Sequence, residues 1–106
     1  MRIIGIDPGV NGAVVLMVND QPVRTERMPT MKNKGGKKKV LDGETLAFVL
    51  RGFGDVDGAV IENVQPVPGT AGASGAFQYG KTVGMAAGIV IGMGIQLEWI
   101  TPTQWK

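Results

Sequence analysis

The sequence predicts a mixed α/β sheet, with strands in both orientations and helices flanking them. Two observations carry this. Two short apolar runs, Ile3–Ile6 and Ala13–Leu16, surround a turn of Pro, Gly and Asn and read as an antiparallel hairpin. Further along, strand-like and helix-like periods alternate, and strand–helix–strand units set their strands parallel through right-handed crossovers. The 106 residues suffice for one small domain, 1–106, with a single core and no internal repeat.

The elements follow in order. The first strand stops at Asp7, and the chain turns through Pro8, Gly9, Asn11 and Gly12 into the second. Asn19-Asp20-Gln21-Pro22 makes another turn, and Val23 to Met28 alternates as a third strand whose Arg24 and Glu26 suit an edge. Residues 29–39, PTMKNKGGKKK, have no apolar period and two adjacent glycines, so a mobile basic loop is expected. Asp42 is a suitable N-cap for a helix from Gly43 to Arg51, with Leu46, Val49, Leu50 and Phe53 at helical spacing and Gly52 and Gly54 ending it. A fourth strand then closes on Glu62, repeating the acid-ended pattern of the first. A loop rich in Pro and Gly (63–74) leads to a second helix over 75–92, and residues 95–100 form a fifth strand.

Gly80, Gly84, Gly88 and Gly92 recur every four residues along the second helix, and Ala76 extends the line. Each glycine costs a helix about 1 kcal/mol relative to alanine, so a close approach must compensate. Tight packing on the sheet is the favoured expectation, with a seam between two copies as the alternative.

Composition narrows the chemistry. There is no cysteine, so disulfides and thiolate metal sites are excluded, and no histidine, so acid–base or metal work falls to Asp and Glu. Met1-Arg2 leads into a strand without a signal-peptide pattern. The apolar stretch over 83–95 is too short to cross about 30 Å of hydrocarbon. A soluble cytoplasmic chain without membrane contact is expected.

Asp7 alone reads equally as a turn former, since Asp before Pro-Gly caps its own backbone. Glu62 changes the weighting. If the first and fourth strands are parallel neighbours, about 4.8 Å apart, both acids lie at carboxyl ends, where open α/β sheets bind ligands. Two such carboxylates repel unless a cation lies between them, and an oxygen-only donor set suits Mg²⁺ or Mn²⁺. Metal-assisted phosphodiester cleavage is one chemistry such a site performs. Lys32, Lys34, Lys37, Lys38 and Lys39 supply the partner clue: within a net charge of +2 they form a local run without an acid, either a solvated loop or a surface for nucleic-acid phosphates.

The segments GIDPGVNGA, AVIENV, SGAFQYGKTVGMAAG and ITPTQWK, in this order over nearly the whole chain, resemble RuvC-type Holliday junction resolvases, the phage-like branch most closely. The resemblance implies an RNase H-like fold with a five-stranded mixed sheet. It implies a homodimer that nicks four-way DNA junctions with Mg²⁺ during recombination and repair, in a bacterial or phage-infected cell. By position, Asp7 and Glu62 become metal ligands, Lys81 a residue facing DNA, and Lys106 a weaker basic match; Phe77 and Tyr79 are expected in the core. The family carries two further acidic ligands on a helix after the ITPTQWK segment, where this sequence stops, so a fragment without the C-terminal helix is expected. Asp20, Glu26, Asp42, Glu44, Asp55 and Asp57 fall in turns, on the polar strand or around the first helix, and Glu98 is expected to face solvent; none replaces those ligands. Two other readings remain at this stage. One is a non-catalytic junction-binding module. The other is a fragment of an actin-like nucleotide-binding protein with Asp7-Pro8-Gly9 near phosphates, for which 106 residues leave no second lobe.

Overall fold

The computed structural model describes residues 1–62 and 72–101. Most of the Pro/Gly loop after Glu62 and the basic position Lys106 lie outside the described residues. The elements are β1 (Arg2–Asp7), β2 (Ala13–Val18), β3 (Gln21–Arg27), β4 (Thr30–Lys32), β5 (Lys39–Leu41), α1 (Gly43–Gly52), β6 (Gly58–Glu62), α2 (Gly72–Gly92) and β7 (Leu97–Ile100). The main sheet has the order β3-β2-β1-β6-β7, antiparallel on the β1–β2–β3 side and parallel from β1 through β6 to β7. This is the predicted mixed five-stranded sheet.

Local chemistry explains the turns. Asn19 and Asp20 both hold positive φ, 50° and 68°, which matches the twist of a two-residue hairpin. The β3 strand therefore starts at Gln21, two residues earlier than expected, and Pro22 is accommodated because β3 is an edge strand. The α1 helix is capped as predicted: the Asp42 carboxylate accepts from the Thr45 backbone N–H at 3.1 Å and from its hydroxyl at 2.7 Å.

The core lies on one face of the sheet. Period-two alternation puts Ile4 and Ile6 of β1, Val14 and Leu16 of β2, and Ala59 and Ile61 of β6 on that face. They pack against Leu46 and Leu50 of α1 and Val83, Ala86, Ala87 and Val90 of α2. Each fully buried large aliphatic contributes about 1.5–3 kcal/mol, so Ile4, Ile6 and Ile61, all at most 1 % exposed, anchor the central strands. At the start of β1, Arg2 joins the segment before β6. Its backbone N–H donates to the Asp57 carboxylate and its carbonyl accepts from the Asp57 N–H, both at 2.7 Å. Its guanidinium donates to the carbonyls of Phe53 and Asp55.

Two expectations are corrected. The basic segment over 29–39 contains structure: β4 and β5 pair antiparallel, Thr30 with Leu41, Met31 with Val40 and Lys32 with Lys39. Asn33 closes the turn, its N–H donating to the Lys38 carbonyl and its side-chain oxygen accepting from the Lys37 N–H. The glycine line of α2, expected to pack on the sheet, faces away from it. Among the described residues, a Cβ at Gly80, Gly84, Gly88 or Gly92 would meet nothing within 4 Å. The reason is rotation: a step of four residues advances about 40° around a helix, so the line spirals off the core-facing stripe at 83, 86, 87 and 90. The helix also starts earlier than expected, at Gly72, and β7 later, at Leu97.

Candidate metal centre and nucleic-acid interface

The β1–β6 register aligns Ile3 with Gly58 and continues to Ile6 with Ile61. One step further stand Asp7 and Glu62, at the carboxyl ends of two parallel central strands. Both are accessible, Asp7 exposed and Glu62 half-buried. Pro8 is fully buried, and a residue before proline is confined to extended backbone, so Asp7 is held in strand conformation at the sheet's rim. Behind it the turn closes through Gly12, whose N–H donates to the Gly9 carbonyl at 2.8 Å and whose carbonyl accepts from Met28 at 3.0 Å.

Neighbouring carboxylates with no imidazole or thiolate beside them fit a hard divalent cation, and Mg²⁺ is commonly held by one or two carboxylates while keeping waters. Among the described residues no group of three or more acids gathers. Glu98 shares the sheet face of Glu62 but is set back, paired with Val60, and is exposed as expected.

The lysines divide into two groups. A cleft of about 570 Å³ opens between the β4–β5 hairpin and the first turns of α2, with Lys38, Lys39 and Lys81 among its lining together with Gly9 and Val10. Lys32, Lys34 and Lys37 are exposed on the same hairpin but do not line it. Asp7 and Glu62 are not part of this lining either; among the described residues the cleft approaches their site through the Gly9–Val10 turn. Arg27 is a residue that the sequence reading passed over. Together with Lys39 it lines another cleft, of about 380 Å³, bordered by Val10, Asn11 and Gly12 of the same turn. Its signal was positional, as the last residue of β3, paired with Ala13 just beyond the turn. Of the two aromatics expected in the core, Tyr79 packs against it half-buried, whereas Phe77 is 67 % exposed. Phe77 belongs to the glycine-bearing face of α2, which the helix's rotation points outward.

No protein-family model matches the chain, and no curated protein matches it. Solved structures do. Thermus thermophilus RuvC in complex with a Holliday junction substrate superposes with TM-score 0.72 at 18 % identity, covering 98 % of this chain and 66 % of that one. A second Thermus thermophilus RuvC structure gives TM-score 0.63 at 16 % identity, with the same coverage. The fold is that of RuvC. The chain spans just under two thirds of the length of these RuvC chains, and the likeness establishes the RNase H-like architecture expected from the sequence. No helix among the described residues is long and apolar enough to cross a membrane.

Proposed function

We propose that this chain is part of a metal-dependent, structure-selective DNA endonuclease that resolves four-way junctions, with Asp7 and Glu62 as metal-holding residues. The observation carrying this reading is the pair of accessible carboxylates, adjacent in register at the carboxyl ends of β1 and β6, in a fold shared with a RuvC that was solved on a Holliday junction. A Mg²⁺ or Mn²⁺ ion held there would supply charge stabilisation and an activated water for phosphodiester hydrolysis. Asp7 and Glu62 fix the position of positive charge at the rim. The Pro8–Gly12 turn holds Asp7 extended. The lysines at positions 32, 34, 37, 38, 39, 81 and 106 attract the phosphate backbone.

A homodimer completes the proposal, joined along the outward face of α2. In support, Phe77 and Ile91 are 67 % and 60 % exposed there and flank the open glycine line, which lets two backbones approach closely.

The test is nicking of a synthetic four-way junction with Mg²⁺, together with Mn²⁺ binding by calorimetry. Asp7→Asn and Glu62→Gln are each expected to abolish nicking and to weaken Mn²⁺ binding. Unchanged nicking by Asp7→Asn would sink the ligand assignment. A second reading, a junction-binding module that does not cut, is favoured by one observation: only two acids meet at the rim among the described residues. Junction binding that survives EDTA, with no nicking at any Mg²⁺ or Mn²⁺ concentration, would select it.

A further inference from the structure

We propose that the two clefts around the Gly9–Gly12 turn form one track for a single, unpaired DNA strand, running from Arg27 past Lys39 to Lys38 and Lys81. The proposal deepens the nucleic-acid reading above by assigning which cations hold the strand and in what order. It rests on three features.

The clefts adjoin, because Lys39 and Val10 line both of them. Arg27 lines one cleft, Lys38 and Lys81 the other and Lys39 both, so four cations from β3, the β4–β5 hairpin and α2 surround the turn. Among the described residues, no Asp or Glu lines either cleft. Among the described residues the ion pair is Arg24–Glu26, elsewhere on β3, so these four cations have no carboxylate partner there. A row of unmatched cations attracts a polyanion with its phosphates spaced along it.

The walls also have an apolar component. Val10 and the half-buried Tyr79 stand beside the lysines. Grooves for single-stranded nucleic acid combine such cations with surfaces against which unpaired bases rest. A space of about 570 Å³ is on the scale of a pocket for a small molecule, a size suited to part of one strand.

The assay is salt-dependent binding of a labelled oligothymidylate in EDTA, followed by fluorescence anisotropy. Each phosphate contact with a single strand contributes about 0.7 to the slope of log K against log salt. Arg27→Ala and Lys81→Ala, at opposite ends, are each expected to flatten the slope by about 0.7, and the double variant by about 1.4. Lys81→Arg keeps the charge and retains the slope. Arg51→Ala, an exposed cation on the last turn of α1, leaves it unchanged. Circular dichroism melts check that each variant is folded; these side chains are all exposed. Slopes unaffected by Arg27 and Lys81, or lowered equally by Arg51→Ala, overturn the track. Tighter binding of a duplex of equal length overturns the single-strand assignment. Because no divalent metal is present, these outcomes are independent of whether the chain nicks junctions.

Discussion

Gly12→Ala tests how the candidate metal centre is built. A Cβ at this position would stand 2.0 Å from the Asp7 carbonyl oxygen, 2.8 Å from its carbon and 2.9 Å from the Gly9 carbonyl oxygen. All three obstacles are backbone, so no side chain can rotate aside. Ordinary contact begins near 3.4 Å, and the turn must open by about 1.4 Å to admit the methyl group, an overpacking that costs roughly 3 kcal/mol, the upper end of its usual range. Gly12 does not sit at positive φ, so the substitution tests space alone. In a domain of about 100 residues this loss lowers Tm by at least about 12 °C, measured by circular dichroism. Mn²⁺ binding should weaken as well, because the displaced atoms belong to Asp7. Gly9→Ala is the control, since its nearest neighbour is an ordinary 4.0 Å away. A Gly12→Ala melt within 3 °C of the parent would refute the close-approach argument, an allowance of less than about 1 kcal/mol.

Two further outcomes are expected. Gly84→Leu leaves the monomer intact, because its Cβ meets open space and leucine is a better helix former than glycine by about 0.7 kcal/mol. Sedimentation equilibrium should nevertheless shift from dimer to monomer, and unchanged association would remove α2 as the seam. Hydrogen bonds from the Thr45 hydroxyl and backbone hold the Asp42 carboxyl below its ordinary value of 3.8. Its contribution to stability is therefore present above pH 3.8 and is lost as pH falls through the depressed value. Asp42→Ala should lower Tm at neutral pH and reduce the acid dependence below pH 4; an unchanged acid slope would show that the cap does not titrate with folding.

Much of the architecture was legible because its causes are local. Asp42 followed by Glu44 and an apolar 3.6 period defines α1 within one residue, and the β-branched runs define β1, β2 and β6. The adjacency of Asp7 and Glu62 was also legible, since both end short apolar strands of one parallel unit. The β4–β5 hairpin was not. Its lysines and paired glycines carry no apolar period, and its order comes from partners distant in sequence: Asp42 donates its N–H to the Pro29 carbonyl, and β5 contacts α2. The outward turn of the glycine line was hidden for a related reason. Spacing of four shows that residues lie along one side of a helix, and only the apolar stripe at 83, 86, 87 and 90 shows which side faces the sheet. Arg27 went unnoticed because its place in a cleft depends on where the next hairpin folds, which strand polarity does not reveal.

The reciprocal hydrogen bonds between Arg2 and Asp57 have a consequence for the opposite end of the sheet. Asp7 follows Arg2 by five residues, and Glu62 follows Asp57 by five. The clasp at the amino ends therefore acts as a ruler: both strands are measured from one zero, and the acids arrive level. A slip of one residue would turn one carboxylate to the other face of the sheet. The spacing of the two acids is thus written one strand's length away, in residues outside the proposed metal and DNA sites.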